Sequence, residues 1–202
     1  MKFTDIAAVC STILGVYCTV PYIRAILAGK TKPHQLSWLV FVIMNGIVFF
    51  SQFLAGGRAS VIISFTFFVG SFIVFLLSLT AGVRGTSRWD WALFTFAMLT
   101  IVVWFITRSN SVAIWLTLLI DFAATTMMIL KLRSNPRSED PYPWLIASVA
   151  YVFTCLTLLG KPLGILYVRP LYGLVGDLVF VGFIYFYRHR AGKTVQTSPA
   201  EL

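Results

Sequence analysis

Long apolar runs separated by short polar segments set the pattern of this chain. The runs fall at 4–27, 36–55, 60–82, 89–107, 111–131, 143–160 and 165–187. A bilayer core of about 30 Å takes roughly 20 residues of helix, and every run is of that order. Lipid offers the backbone no hydrogen-bond partners, so such runs must be helical. The strict apolar–polar alternation of a barrel strand is absent. The pattern predicts an all-α integral membrane protein with seven transmembrane helices.

An internal repeat organises the runs. A shift of 106 residues lays Trp38 on Trp144, Leu39 on Leu145, Val69-Gly70 on Val175-Gly176 and Thr19 on Thr125. The same shift lays the first span on the fifth, the second on the sixth and the third on the seventh. The fourth span, opened by Arg88-Trp89-Asp90-Trp91, has no mate. An odd linker span makes the two halves parallel, related by an axis along the membrane normal. The expected plan is 3+1+3: a first three-helix repeat over 1–82, a linker helix within 83–110, a second repeat over 111–187 and a disordered tail over 188–202.

Composition agrees with lipid as the solvent. Hydrophobic residues form 58% of the chain and charged residues 11%, against roughly half apolar and about a quarter charged in a soluble domain. The net charge of +9 would suit a nucleic-acid binder if it were clustered. It is not: the basic residues fall between the apolar runs, where they meet headgroups. One side holds Arg24, Lys30, Lys32, Arg84, Arg88, Lys131, Arg133, Arg137, Arg188, Arg190 and Lys193. The other holds only Lys2, Arg58, Arg108, Lys161 and Arg169. The positive-inside rule then puts the N-terminus outside and the C-terminus in the cytoplasm, in a cell (inner or plasma) membrane. No cleavable signal peptide is evident, since the first apolar run is full length and lacks a basic leader. Cys10, Cys18 and Cys155 lie in apolar runs with no metal spacing and read as small core residues. His34 and His189 read as cytoplasmic surface residues, not ligands. Glu139 and Asp140 relieve a basic loop and could pair with Arg133 or Arg137. No cofactor, metal or nucleic-acid partner is expected. A homo-oligomer is left open.

The 3+1+3 plan resembles the PQ-loop and SWEET group of small transporters. Pro21-Tyr22-Ile23-Arg24, followed by Gly29-Lys30-Thr31-Lys32-Pro33 and Ser37-Trp38, resembles the first PQ-loop region, with Tyr22 where that motif has Gln. In the second half Met127 aligns with Pro21, and Asn135-Pro136-Arg137-Ser138-Glu139-Asp140 leads to Trp144. The resemblance implies a transporter without naming its substrate.

The candidate chemistry lies at mid-depth. The middles of the first three spans fall near Gly15, Asn45 and Ser71, and the repeat places Asp121, Tyr151 and Asp177 opposite them. A charge at the bilayer centre costs at least ~2.5–3.5 kcal/mol on insertion scales, so such groups usually face a cavity. No Lys, Arg or His is expected at the depth of Asp121 and Asp177. The two acids are therefore expected to be protonated or to bind a cation, carrying proton or cation coupling. Asn45, Ser71 and Tyr151 are candidate substrate contacts. Gln52, Thr66 and Tyr172 lie nearer the outer face and could line an entrance. Pro21 removes a helical hydrogen bond and is a candidate hinge. Trp38 and Trp144 begin equivalent spans and are candidate gate residues. Gly70 and Gly176 are expected to allow close helix approach.

The expected function is alternating-access transport of a small cationic or zwitterionic solute, such as an amino acid, amine or vitamin, coupled to a proton or cation. A seven-helix receptor or sensor on the same plan is the rival. A neutral-sugar transporter fits less well. So does an intramembrane aspartyl protease, because Gly173-Leu174-Val175-Gly176-Asp177 misses the GxGD pattern by one residue. A non-enzymatic protein is the expectation.

Overall fold

The computed structural model describes residues 3–54, 59–84, 87–107, 110–160 and 164–196. Side chains are described for these except at 51–52, 54, 59–64, 104, 110–114, 165–166 and 192–196. The described chain is all helical: α1 (Phe3–Tyr17), α2 (Thr19–Leu27), α3 (Gln35–Leu54), α4 (Ala59–Ala81), α5 (Arg88–Thr107), α6 (Asn110–Ser134), α7 (Pro141–Thr157) and α8 (Ile165–Gln196). Among the described residues there is no strand, only an isolated bridge between His34 and Val83.

Four stretches are long and apolar enough to cross a bilayer: Phe3–Leu27, Arg88–Thr107, Trp115–Ser134 and Tyr167–Ala191. Gln35–Phe50, Phe65–Ala81 and Pro141–Thr157 are apolar but shorter among the described residues. Large apolar side chains face outward along the helices, with Ile106 76% and Phe105 63% exposed. Water would not tolerate so continuous an apolar surface, whereas lipid does.

Two expectations on the elements change. The first apolar run is two helices, broken at Cys18. Pro21 explains the break, since its ring clashes with the carbonyl four residues earlier, that of Tyr17. The last helix does not stop at 187 but continues to Gln196, through most of the stretch expected to be a disordered tail. Residues 197–202 lie outside the described residues, as do Lys2, Arg58, Arg108 and Lys161 of the expected outer rim.

Small residues bring the helices together. Ala97 of α5 and Ala123 and Ala124 of α6 are fully buried, packed with Val40 and Met44 of α3. With no side-chain bulk between them, the backbones approach closely. Met128 and Leu132 of α6 pack on Phe180 and Ile184 of α8. Gly70 does what was expected: a Cβ there would sit 3.0 Å from Thr19. Together with the packing of α1 on α7 and of α7 on α8, these contacts leave a space between the helices that no side chain fills.

One end of the helices is tied tightly. The segments after α2, α4 and α6 meet there: Val83 N–H donates to Pro33 O at 2.9 Å, and Lys32 N–H to Ser138 O at 2.7 Å. Arg188 of α8 donates to Glu139 O at 2.6 Å. We call this the basic end.

Candidate functional site

A cavity of about 470 Å³ lies between α1–α4 and α6–α8. Gly15 and Cys18 reach it from the α1–α2 junction, Asn45 from α3, Ser71 from α4, Asp121 from α6, Tyr151 from α7, and Tyr172 and Asp177 from α8. Of these, Gly15, Asn45, Ser71, Asp121, Tyr151, Tyr172 and Asp177 are candidates from the sequence, whereas Cys18 was read there as a small core residue. Trp38 and Trp144 also line it. Pro21 and Thr66 are placed outside that lining, on α2 and α4. The side chain of Gln52 is outside the described residues.

The neutral wall is partly self-satisfied. Asn45 Nδ2 donates to Ser71 Oγ at 3.3 Å, and Ser71 Oγ donates to Phe68 O at 2.9 Å. Asn45 and Ser71 thus join α3 to α4. Ser11 Oγ lies 2.6 Å from Thr154 Oγ1 and joins α1 to α7.

The charged wall differs from expectation in one respect. A basic residue does reach the acids: Arg169 Nη2 lies 3.7 Å from Asp121 Oδ1. Sequence placed Arg169 at the rim, where a long cation normally snorkels outward. The Arg169 side chain instead runs inward from the first turns of α8 (Ile165–Gln196) to Asp121, which lies at the middle of α6 (Asn110–Ser134). At 3.7 Å the pair is an ionic contact without a hydrogen bond. Arg169 Nη1 and Asp177 Oδ2 are buried with no hydrogen-bond partner.

Two glycines of α8 shape this wall in opposite ways. A Cβ on Gly173 would fall 2.3 Å from the Tyr151 ring, so only glycine lets that ring lie on the helix backbone. Tyr151 is thereby seated between Arg169 and Asp177, each one turn from Gly173. Gly176 was expected to pack closely, but a Cβ there meets nothing within 4 Å. It borders open cavity.

Toward the basic end an aromatic layer closes the space. Tyr22 has its ring centroid 5.0 Å from that of Trp38 and 5.9 Å from that of Trp144. Behind it, Tyr22 Oη donates to both oxygens of Glu139, at 3.2 and 3.1 Å. Lys131 Nζ pairs with the same carboxylate and donates to Lys32 O at 2.6 Å. Glu139 is fully buried, and its partner is Lys131, not Arg133 or Arg137 as its loop position suggested. Sequence pairing rules favour near neighbours, but burial removes Glu139 from water and only a cation inside the same pocket can compensate. Burial pushes the Glu139 carboxyl above its ordinary value, with Lys131 opposing the shift.

His34 also departs from the surface placement. It is 2% exposed, hydrogen-bonded through Nδ1 to Ser37 Oγ at 3.0 Å, with Nε2 3.5 Å from Asp90 Oδ1. Burial holds its pKa down at about 4, Asp90 opposing and Lys131 reinforcing. The short Pro-His-Gln-Leu-Ser stretch carried too little pattern to reveal this. Among the described residues no group of His, Cys, Asp and Glu could hold a metal ion.

No protein-family model, curated protein or solved structure matches this chain.

Proposed function

We propose that the protein is a seven-span small-solute transporter of 3+1+3 design, working by alternating access on a cationic or zwitterionic solute with proton or cation coupling. The observation that carries this reading is the cavity: unpartnered charge lines it, and a layer of aromatic residues over a buried ion pair closes it toward the basic end. A transporter needs a site that is empty of its own satisfaction, and a barrier on one side of it. The helix neighbours support the repeat. α3 packs on α4 as α7 packs on α8, and α1 on α7 as α6 on α3, the pattern a two-fold axis between the halves generates. The linker helix α5 packs outside, on α6 and α3. Trp38 and Trp144, equivalent in the repeat, flank Tyr22 together, which supports their reading as a paired gate. Asp121 meets Arg169, which favours a binding site over a protease dyad.

The chain would be purified, reconstituted in liposomes and assayed for uptake of labelled amino acids and amines with and without an inward proton gradient. Gradient-stimulated uptake that Asp177→Asn abolishes, in a protein that remains folded, is the expected result. Uptake that keeps its gradient dependence in that variant would overturn the coupling role of Asp177. Absence of uptake for every labelled amino acid and amine would overturn the transporter reading for this substrate class.

A further inference from the structure

Arg169 changes what the cavity selects. An acid-lined site with no cation would take a simple amine. Here a guanidinium shares the wall with the acids, and Arg169 and Asp177 each keep one buried atom without a partner. Asp121 engages Arg169 only through Nη2, at 3.7 Å. A guanidinium carries five donors in a planar fork and holds carboxylates bidentately, so Nη1, buried without a partner, is the unused half of that fork. On the same helix, eight residues on, Asp177 has Oδ2 unpartnered. The residues at the two ends and the middle of the stripe, Arg169, Gly173 and Asp177, repeat every four positions and share a broad face of α8.

Tyr151 lies between the two charges, its ring against Gly173. Asp121, Arg169 and Asp177 line the same cavity as Tyr151. Gly176 leaves open space beside Asp177. From this juxtaposition we infer that the cavity recognises a small zwitterion of amino-acid type, its carboxylate on the free side of Arg169 and its ammonium on Asp177. The inference rests on the transporter reading for its biological sense but not for its test, which is one of binding.

A monocation would satisfy Asp177, yet it would leave Nη1 unpaired and bring like charge toward Arg169. A monoanion would do the reverse at Asp177. Only a solute with both groups completes the hydrogen bonding of both buried atoms. Such sites reject analogues that lack one polar group strongly, because the protein group left behind is buried and unpaired.

The test uses detergent-purified full-length protein and thermal-shift titration with each of the proteinogenic L-amino acids. The tightest binder is then compared with its carboxamide, which lacks the carboxylate, and its N-acetyl derivative, which lacks the ammonium. We expect each derivative to bind at least tenfold more weakly than the parent. In Arg169→Gln the parent should lose tenfold or more, and the parent and its carboxamide should bind alike. In Asp177→Asn the parent and its N-acetyl derivative should converge in the same way. Arg169→Lys retains the charge and guards against misfolding: it should recover part of the preference for the parent. A carboxamide that binds as tightly as the parent overturns the role of Arg169 while leaving amine transport intact. Binding of none of the amino acids overturns the inference, and uptake of an amine in liposomes would then show that the transporter reading survives without it.

Discussion

The cavity and the basic end both set an acid beside a base, and they treat the pair in opposite ways. At the basic end Glu139 is fully buried and met by Lys131 and by the Tyr22 hydroxyl, while Arg188 takes its backbone carbonyl. In the cavity Asp121 and Arg169 stand 3.7 Å apart, Arg169 Nη1 has no partner, and Asp177 Oδ2 has none. A satisfied buried pair fixes structure, because breaking it strands a charge. An unsatisfied one carries a desolvation cost that an incoming hydrogen-bonding group can relieve. The difference separates scaffold from site more sharply than residue type does, since both regions use the same chemistry.

The comparison can be broken first at Glu139. Glu139→Ala leaves the Lys131 ammonium buried without its carboxylate, and should destabilise the protein by about 3–5 kcal/mol. Denaturant or thermal unfolding in detergent measures this. Pairing Glu139→Leu with Lys131→Met should recover most of the loss, because an apolar pair of similar volume leaves nothing stranded. A Glu139→Ala cost below ~1 kcal/mol would mean that the basic end is no scaffold.

The next effect is one of pH. His34 is held near pKa 4 in the folded protein by burial, with Asp90 and Lys131 facing it, and its unfolded value is about 6.5. The unfolded chain therefore binds more protons between these values. Stability should be full above about pH 6.5 and fall by roughly 1–3 kcal/mol as pH drops toward 4. Unfolding midpoints across that range, flattened in His34→Gln, are the check. A slope unchanged by the substitution would assign the acid sensitivity elsewhere.

Smaller still is the contrast between neighbouring glycines. Gly173→Ala puts a Cβ into the Tyr151 ring and should cost about 1–3 kcal/mol as overpacking. Gly176→Ala meets nothing and should be neutral or slightly stabilising, since alanine favours helix by up to ~1 kcal/mol. Gly176→Leu should fold equally well but fill the cavity and lower uptake. Equal costs at 173 and 176 would show that the cavity wall is not where the glycines place it.

The smallest stability change should come from Asp177→Asn. Its Oδ2 has no hydrogen-bond partner to lose, so unfolding should move by less than ~1 kcal/mol, against the several expected at Glu139. A large loss would reveal Asp177 as a structural group.

Hydrophobic periodicity, which is local, made the helices and the polar layer legible in the sequence. Seven apolar runs became helices because lipid and packing alike leave the backbone no other partner. A shift of 106 residues was enough to group Asn45, Ser71, Tyr151, Asp121 and Asp177, which all reach one cavity. Sequence did not show where long side chains go. Arg169 lies near the start of its helix and can extend outward or inward with the same backbone. Only the position of α6 beside α8 turns it toward Asp121. Lys131 and Glu139 are eight residues apart across a helix end, and no spacing rule joins them. His34 sits in a polar connection that reads as surface until Asp90 of α5 is seen against it. Apolar pattern is written residue by residue, and the sequence therefore determined the helices and which polar residues they carry toward one space. Which charges are matched and which remain open depends on distances between helices far apart in the chain, and that the tertiary structure alone decided.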